Sequence, residues 1–91
     1  DTAGTIVNAA KEALDEGAKS VTVVATHGVL SGPAIERLNT ANIKRIILTD
    51  TISIPPEKRL DQMKIVSVAN IFGEAVNRVH NGESVSALFE F

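Results

Sequence analysis

Residues 20–25 read Ser-Val-Thr-Val-Val-Ala and residues 44–49 read Lys-Arg-Ile-Ile-Leu-Thr, and these two stretches decide the fold. Both are short, largely apolar runs in which β-branched side chains are prominent. A third run, Lys-Ile-Val-Ser-Val, occupies residues 64–68. Runs of this kind are typical of strands buried on both faces, as in a parallel sheet that helices cover on either side. The three runs therefore predict the strands of an α/β fold.

Amphipathic segments flank these runs and predict three helices. The first is residues 4–16, whose apolar side chains recur at helical spacing before Gly17, a natural left-handed stop. A short helix follows Pro33, and a third occupies residues 69–80. Residues 50–59 form a connection, because paired prolines suit neither a helix interior nor a central strand. Alternating helices and apolar strands predict a three-layer α/β domain with a mainly parallel sheet, cut just after its first strand.

Composition narrows the classes of protein. The 91 residues suit a single, partial domain, and 9 basic against 11 acidic residues leave a net charge of −2. Without a basic stripe, and with only three aromatic residues, nucleic-acid binding is not expected. The lack of cysteine fits a reducing cytoplasm and excludes disulfides. No apolar run approaches the roughly 20 residues that a membrane span needs, so no membrane association is expected.

The 1–5 loop, Asp1-Thr2-Ala3-Gly4-Thr5, runs straight into the first predicted helix. Backbone N–H groups at a helix start lack intrahelical partners, and the helix dipole makes that end positive, so a phosphate is favoured there. The small Gly4 lets the backbone approach an anion, and threonine hydroxyls can donate to its oxygens. The Asp1 carboxylate can accept a hydrogen bond from a sugar hydroxyl. Alternatively, Asp1 and Thr2 are ordinary caps of the helix.

Further polar residues follow two of the predicted strands. Thr26 and His27 come after the first run, and Thr49, Asp50 and Thr51 come after the second. In an open parallel sheet, ligands bind beyond the carboxyl ends of the strands, so these groups and the 1–5 loop are expected to converge. A structural, hydrogen-bonded His27 is the alternative to a site residue. A hydrolase built with Ser31 is not favoured, because no nucleophile elbow surrounds that serine.

Near the end of the chain, Ser84, Val85 and Ser86 place two hydroxyls on either side of an apolar residue, just after Gly82. Such hydroxyls beside a helix end can hold a phosphate while Val85 turns inward. The alternative is a polar turn that lets the apolar residues Leu88, Phe89 and Phe91 dock.

Taken together, these motifs resemble the carboxy-terminal half of the ribose-phosphate pyrophosphokinase family, also called phosphoribosyl pyrophosphate synthetases. Four stretches carry the resemblance: Asp-Thr-Ala-Gly-Thr (1–5), Ala-Thr-His-Gly-Val-Leu-Ser-Gly-Pro-Ala (25–34), Thr-Asp-Thr-Ile (49–52) and His-Asn-Gly-Glu-Ser-Val-Ser-Ala-Leu-Phe (80–89). The first stretch is shared with many phosphoribosyltransferases, whereas the second and the fourth are more specific. The resemblance implies a phosphoribosyltransferase-like, Rossmann-like domain that lacks its first strand.

Members of this family transfer the pyrophosphoryl group of ATP to the anomeric hydroxyl of ribose 5-phosphate, using Mg²⁺, in nucleotide biosynthesis. The resemblance implies that Asp1, Thr2, Ala3, Gly4 and Thr5 bind ribose 5-phosphate. In that arrangement Asp1 faces the ribose, and the other four residues hold the 5-phosphate.

The same resemblance implies that Ser84, Val85 and Ser86 belong to a regulatory phosphate or nucleotide site at a subunit interface of a homo-oligomer. Residues 83–91 are then a regulatory and oligomer-forming tail. The family's Mg²⁺ ligands, its catalytic basic residues and its ATP-binding half have no counterpart in the chain. We therefore expect no catalytic and no metal-binding residue within the 91 residues, and no catalysis by them alone.

Two other interpretations stay open. One is a non-catalytic, regulatory subunit associated with the synthetase, which keeps the loop and the tail for assembly. The other is part of a phosphoribosyltransferase, in which the same loop binds phosphoribosyl pyrophosphate; the 84–89 segment argues against it.

Overall fold

Three parallel strands form one sheet in a computed structural model that describes residues 1–89. The strands are β1 (Thr22–Ala25), β2 (Arg45–Thr49) and β3 (Met63–Val66), and β2 lies in the centre. Each strand lies within one of the three apolar runs or overlaps it, so the predicted parallel sheet is confirmed.

The three predicted helices are also present. They are α1 (Gly4–Asp15), α2 (Ala34–Thr40) and α3 (Ala69–His80). Two short 3₁₀ turns, Pro56–Lys58 and Ser86–Phe89, lie in the connection before β3 and in the tail. The bounds agree with the sequence-based expectation to within about a turn of helix, and the α/β class is confirmed.

The hydrophobic core lies on one face of the sheet. Helices α1 and α2 cover this face, and residues of the loops after β1 and β2 complete it. At its centre Ile46 of β2 is 1% exposed. The buried side chains are Ala10, Leu30, Ala34, Leu38, Ile43, Ile46, Leu48 and Ile54.

The second face of the sheet differs from the expectation that helices cover both faces. Val24 of β1 is 70% exposed and Val66 of β3 is 42% exposed. Helix α3 has no buried residue, and its apolar stripe, which includes Phe72 and Val76, is exposed. Within residues 1–89 the sheet therefore has helices packed on one side, because α3 does not bury its apolar stripe against the other. None of the helices described is long and apolar enough to cross a membrane.

Candidate functional site

The 1–5 loop has an unusual backbone immediately before α1. Ala3 adopts the left-handed conformation, with φ 64° and ψ 6°, and Gly4 begins the right-handed helix. A left-handed residue beside a right-handed one turns successive N–H groups toward a common point, which forms an anion-binding concavity. No side chain caps α1. The alternative in which Asp1 and Thr2 cap the helix is therefore not observed.

Four consecutive N–H groups at this point have no hydrogen-bond acceptor in the described part of the chain. They belong to residues 3–6, and the first helical hydrogen bond runs from the N–H of Val7 to the carbonyl of Ala3, at 3.0 Å. These donors stand at the positive end of the α1 dipole. The side chains of Asp1, Thr2 and Thr5 beside them are exposed. The loop thus brings together four backbone donors, two hydroxyls and one carboxylate.

Two contacts from other elements hold the loop. The N–H of Ser31, in the loop after β1, donates to the carbonyl of Asp1 at 3.0 Å. From α2, Nη1 of Arg37 donates to the carbonyl of Thr2 at 3.2 Å. The sequence pattern does not reveal Arg37, because the contact spans 35 residues and depends on how α2 packs against α1.

The polar residues after β1 and β2 form one cluster. Nδ1 of His27 lies 2.8 Å from the hydroxyl oxygen of Thr51. The hydroxyls of Thr49 and Thr51 both donate to the carbonyl of Thr26. His27 also lines a cavity of about 60 Å³ together with Asp1, which connects the cluster to the 1–5 loop. The expected convergence at the carboxyl edge of the sheet is therefore present for these groups.

The carboxylate of Asp50 makes its hydrogen bonds outside this cluster. Its Oδ1 accepts a hydrogen bond from the N–H of Val68 at 2.8 Å. This bond, with a second from the Ser67 hydroxyl, holds the pKa of the Asp50 carboxyl below its usual value of 3.8. The ring of His27 is paired with a threonine and not with Asp50, so no Ser-His-Asp arrangement forms with Ser31. Asp50 instead links the end of β2 to the start of α3.

The 84–86 segment is a hydrogen-bonded turn. The hydroxyls of Ser84 and Ser86 lie 2.8 Å apart, and the N–H of Ser86 donates to the Ser84 hydroxyl at 3.1 Å. Nη1 of Arg78 donates to the carbonyl of Ser84 at 3.0 Å, while its Nε pairs with Glu74. Val85 is half-buried, in agreement with an inward orientation. Of the predicted apolar anchor, Leu88 is half-buried and Phe89 is 69% exposed, while Phe91 lies outside the described residues.

The described residues do not make a metal site. Within residues 1–89 no three His, Cys, Asp or Glu side chains come together in a way that can hold a metal ion. Asp1 is the only acidic residue of the 1–5 loop. A single carboxylate is a poor match for an ion that needs about six oxygen ligands.

The parallel sheet and the loop with free N–H donors at its carboxyl edge define an α/β domain. The chain belongs to the phosphoribosyl synthetase-associated domain family, which matches residues 1–90. The predicted resemblance to the ribose-phosphate pyrophosphokinases is thereby confirmed at the level of the family.

Individual relatives of the chain also bear the name ribose-phosphate pyrophosphokinase. The chain is 57% identical over 89 residues to a ribose-phosphate pyrophosphokinase of Caldanaerobacter subterraneus subsp. tengcongensis, covering 98% of this chain and 28% of that protein. It is 52% identical over 90 residues to the enzyme of the same name from Bifidobacterium longum, covering 99% of this chain and 26% of the relative.

A solved structure has the same fold. The crystal structure of phosphoribosylpyrophosphate synthetase from Mycobacterium smegmatis superposes with a TM-score of 0.87 and 38% identity, covering 90% of this chain and 28% of the other. The chain thus spans between 26% and 28% of the length of these relatives.

Proposed function

We propose that this chain is the ribose 5-phosphate-binding part of a ribose-phosphate pyrophosphokinase, the enzyme that converts ATP and ribose 5-phosphate to AMP and 5-phosphoribosyl 1-pyrophosphate. One observation carries the proposal. Four unpaired N–H groups at the start of α1, in residues 3–6, meet exposed threonine hydroxyls in a chain whose relatives bear that enzyme name.

In the proposed complex the N–H groups of Ala3, Gly4 and Thr5 donate to the 5-phosphate, and the hydroxyls of Thr2 and Thr5 add two further donors. Hydrogen bonds to a charged acceptor are the stronger kind, so this part of the loop supplies most of the affinity. The carboxylate of Asp1 accepts a hydrogen bond from a ribose hydroxyl and sets the orientation of the sugar. The loop binds and positions the substrate, and no bond-breaking step is assigned to it.

The reaction itself needs groups beyond these residues. Phosphoryl-type transfer depends on metal ions and basic side chains that stabilise charge on the transferred group. Residues 1–89 contain no metal-binding cluster, so Mg²⁺ and ATP belong to the proposed activity of the whole enzyme and no step through them is derived. We expect the 91 residues alone to form no AMP from ATP and ribose 5-phosphate. AMP formation that depends on ribose 5-phosphate would contradict this.

The 84–86 segment is proposed as a second phosphate or nucleotide site, of regulatory type, in a homo-oligomeric cytoplasmic enzyme. Its support is the pair of serine hydroxyls held 2.8 Å apart on an exposed turn that Arg78 braces. Titration of inorganic phosphate should shift the amide signal of Ser86. Replacing Ser84 and Ser86 together by alanine should abolish that shift.

Calorimetric titration of ribose 5-phosphate into the folded 91-residue chain tests the main proposal. We expect binding that Thr5→Val weakens about 10- to 100-fold, because one hydrogen bond to a charged acceptor contributes roughly 1.5–3 kcal/mol. Thr22→Val is the matched control, since Thr22 is an exposed threonine at the opposite edge of the sheet. No binding by protein with a native circular dichroism spectrum would refute substrate binding by this loop.

A second candidate is a non-catalytic, synthetase-associated subunit, which the description of the matched family favours. Both candidates predict ribose 5-phosphate binding by the loop. The two candidates differ in catalysis by the whole polypeptide that contains these 91 residues. Only the first candidate predicts that this polypeptide turns over ATP with ribose 5-phosphate. Every relative named above is a pyrophosphokinase or synthetase, so a phosphoribosyltransferase is not proposed.

A further inference from the structure

Arg37 of α2 reaches across to the 1–5 loop from an exposed position. Its Nη1 donates to the carbonyl of Thr2 at 3.2 Å, the one hydrogen bond that its guanidinium makes among the described residues. The same nitrogen lies 3.0 Å from the place where a Cβ on Gly4 would stand. A side chain at position 4 would therefore force the guanidinium to shift away from the loop.

The contact also fixes the direction of the neighbouring N–H. A trans peptide bond points its carbonyl and its N–H in opposite directions. With the Thr2 carbonyl turned toward Arg37, the N–H of Ala3 must turn away from α2. That N–H is the first of the four unpaired donors. Arg37 thus orients the first of these N–H donors, although it is not itself one of the four.

The guanidinium adds a full positive charge beside the start of α1. It reinforces the partial positive charge of the helix dipole at the position where an anion would bind. No carboxylate pairs with Arg37 among residues 1–89, so this charge is not neutralised by an ion pair there.

We propose that Arg37 is the positioning residue of the phosphate loop: it holds the Thr2 peptide so that the Ala3 N–H faces the ligand, and its charge favours a dianionic phosphate. This inference rests on the proposed function of the loop. It also gives Gly4 a second role, since glycine at this position leaves room for the guanidinium.

The test is calorimetric titration of ribose 5-phosphate and, separately, of inorganic phosphate into the 91-residue chain and three variants. Arg37→Gln should lose about tenfold in affinity for both ligands, the change expected when one charge-assisted contact is removed. Arg37→Lys keeps the charge and one donor but not the planar fork, so it should recover part of the loss. Arg45→Gln, the same change at an exposed arginine at the start of β2, should bind as the unaltered chain does.

A second measurement needs no ligand. In Arg37→Gln the amide signal of Ala3 in the ligand-free protein should move, because the Thr2 peptide is no longer held. An unmoved signal would overturn the positioning role even if the affinity changes. Because Arg37 is exposed, the variants should keep their thermal unfolding midpoint to within a few degrees.

The outcomes separate the two claims. If the unaltered chain binds ribose 5-phosphate and Arg37→Gln binds it equally well, the role of Arg37 is refuted and the proposed function stands. If the folded, unaltered chain binds neither ligand, the proposed function fails and the inference fails with it. Failure of Arg37→Lys to recover any affinity would refute the contribution of charge.

Discussion

Gly28, in the loop that carries His27 and Ser31, has no room for a side chain. A Cβ at this position would stand 2.9 Å from Cδ1 of Ile54 and 3.0 Å from Cδ1 of Leu48. Both of those side chains belong to the core, with exposures of 3% and 4%. The optimal separation of two carbon atoms is about 3.5–4.0 Å, so each methyl group must move by about 0.5–1 Å.

We therefore expect Gly28→Ala to destabilise the protein. Added methyl groups in a packed core typically cost about 1–3 kcal/mol. The atoms that must move are the ends of side chains and not backbone, which places the cost in the lower half of that range, at about 1–2 kcal/mol. For a domain of this size the loss corresponds to a fall in the unfolding midpoint of about 4–16 °C.

Gly73→Ala in α3 is the matched control. A Cβ there meets no atom within 4 Å, and alanine is favoured over glycine in a helix by about 1 kcal/mol. The same chemical change should therefore stabilise at position 73 and destabilise at position 28. Urea unfolding followed by circular dichroism measures the free energy of unfolding of both variants.

The assignment to Ile54 is tested by a double-mutant cycle. Ile54→Val removes the Cδ1 atom that lies nearest to the added methyl group, at a cost of about 0.5–1.5 kcal/mol by itself. The double variant should lose less free energy of unfolding than the two single variants lose together, by about 0.5–1 kcal/mol. A Gly28→Ala variant as stable as the unaltered chain would refute the packing argument, and strict additivity would refute the choice of partner.

Three further predictions concern the links around the site. The N–H of Val68 lowers the pKa of Asp50 in the folded state, so the ionised carboxylate stabilises the fold above its ordinary pKa, and this stabilisation is lost as the pH falls below about 4. Asp50→Asn should remove this part of the acid dependence of the free energy of unfolding, and an unchanged pH profile of unfolding would contradict the prediction. Arg78→Met should cost less than about 1 kcal/mol, since a partly exposed i, i+4 ion pair is weak, yet it should shift the amide signal of Ser86. An unmoved signal would show that Arg78 does not brace the turn. Phe72, 57% exposed on α3, should promote self-association, so Phe72→Glu should lower the sedimentation coefficient at high protein concentration, whereas Asn77→Glu should not. Sedimentation of the unaltered chain as a monomer at every concentration would refute this prediction.

The sequence predicted the positions of the strands and helices better than it predicted how they pack on one another. Apolar, β-branched runs located all three strands, since β-branched side chains favour the pleated backbone of a strand. The runs could not show which face would be covered. That depends on where α3 lies, and Val24 remains 70% exposed because no helix covers it among the described residues.

The 1–5 loop shows the same limit at the level of single residues. Its position before an amphipathic helix, together with its glycine and threonines, predicted the free N–H donors. The same reasoning said only that Gly4 lets the backbone approach an anion, and it did not predict that Ala3 is left-handed while Gly4 is helical. A side chain at position 4 would have to displace the guanidinium of Arg37, a contact that composition and periodicity do not encode.

The left-handed Ala3 has a consequence for binding. A non-glycine residue in this conformation costs roughly 1–2 kcal/mol, so the loop keeps it only if its surroundings compensate. The compensation is visible in three hydrogen bonds: Ser31 to the Asp1 carbonyl, Arg37 to the Thr2 carbonyl, and Val7 to the Ala3 carbonyl. Because folding itself establishes these contacts, the N–H donors are oriented before any ligand arrives. In the proposed complex, an anion would then bind without the cost of ordering the loop, which is the general advantage of a preorganised site.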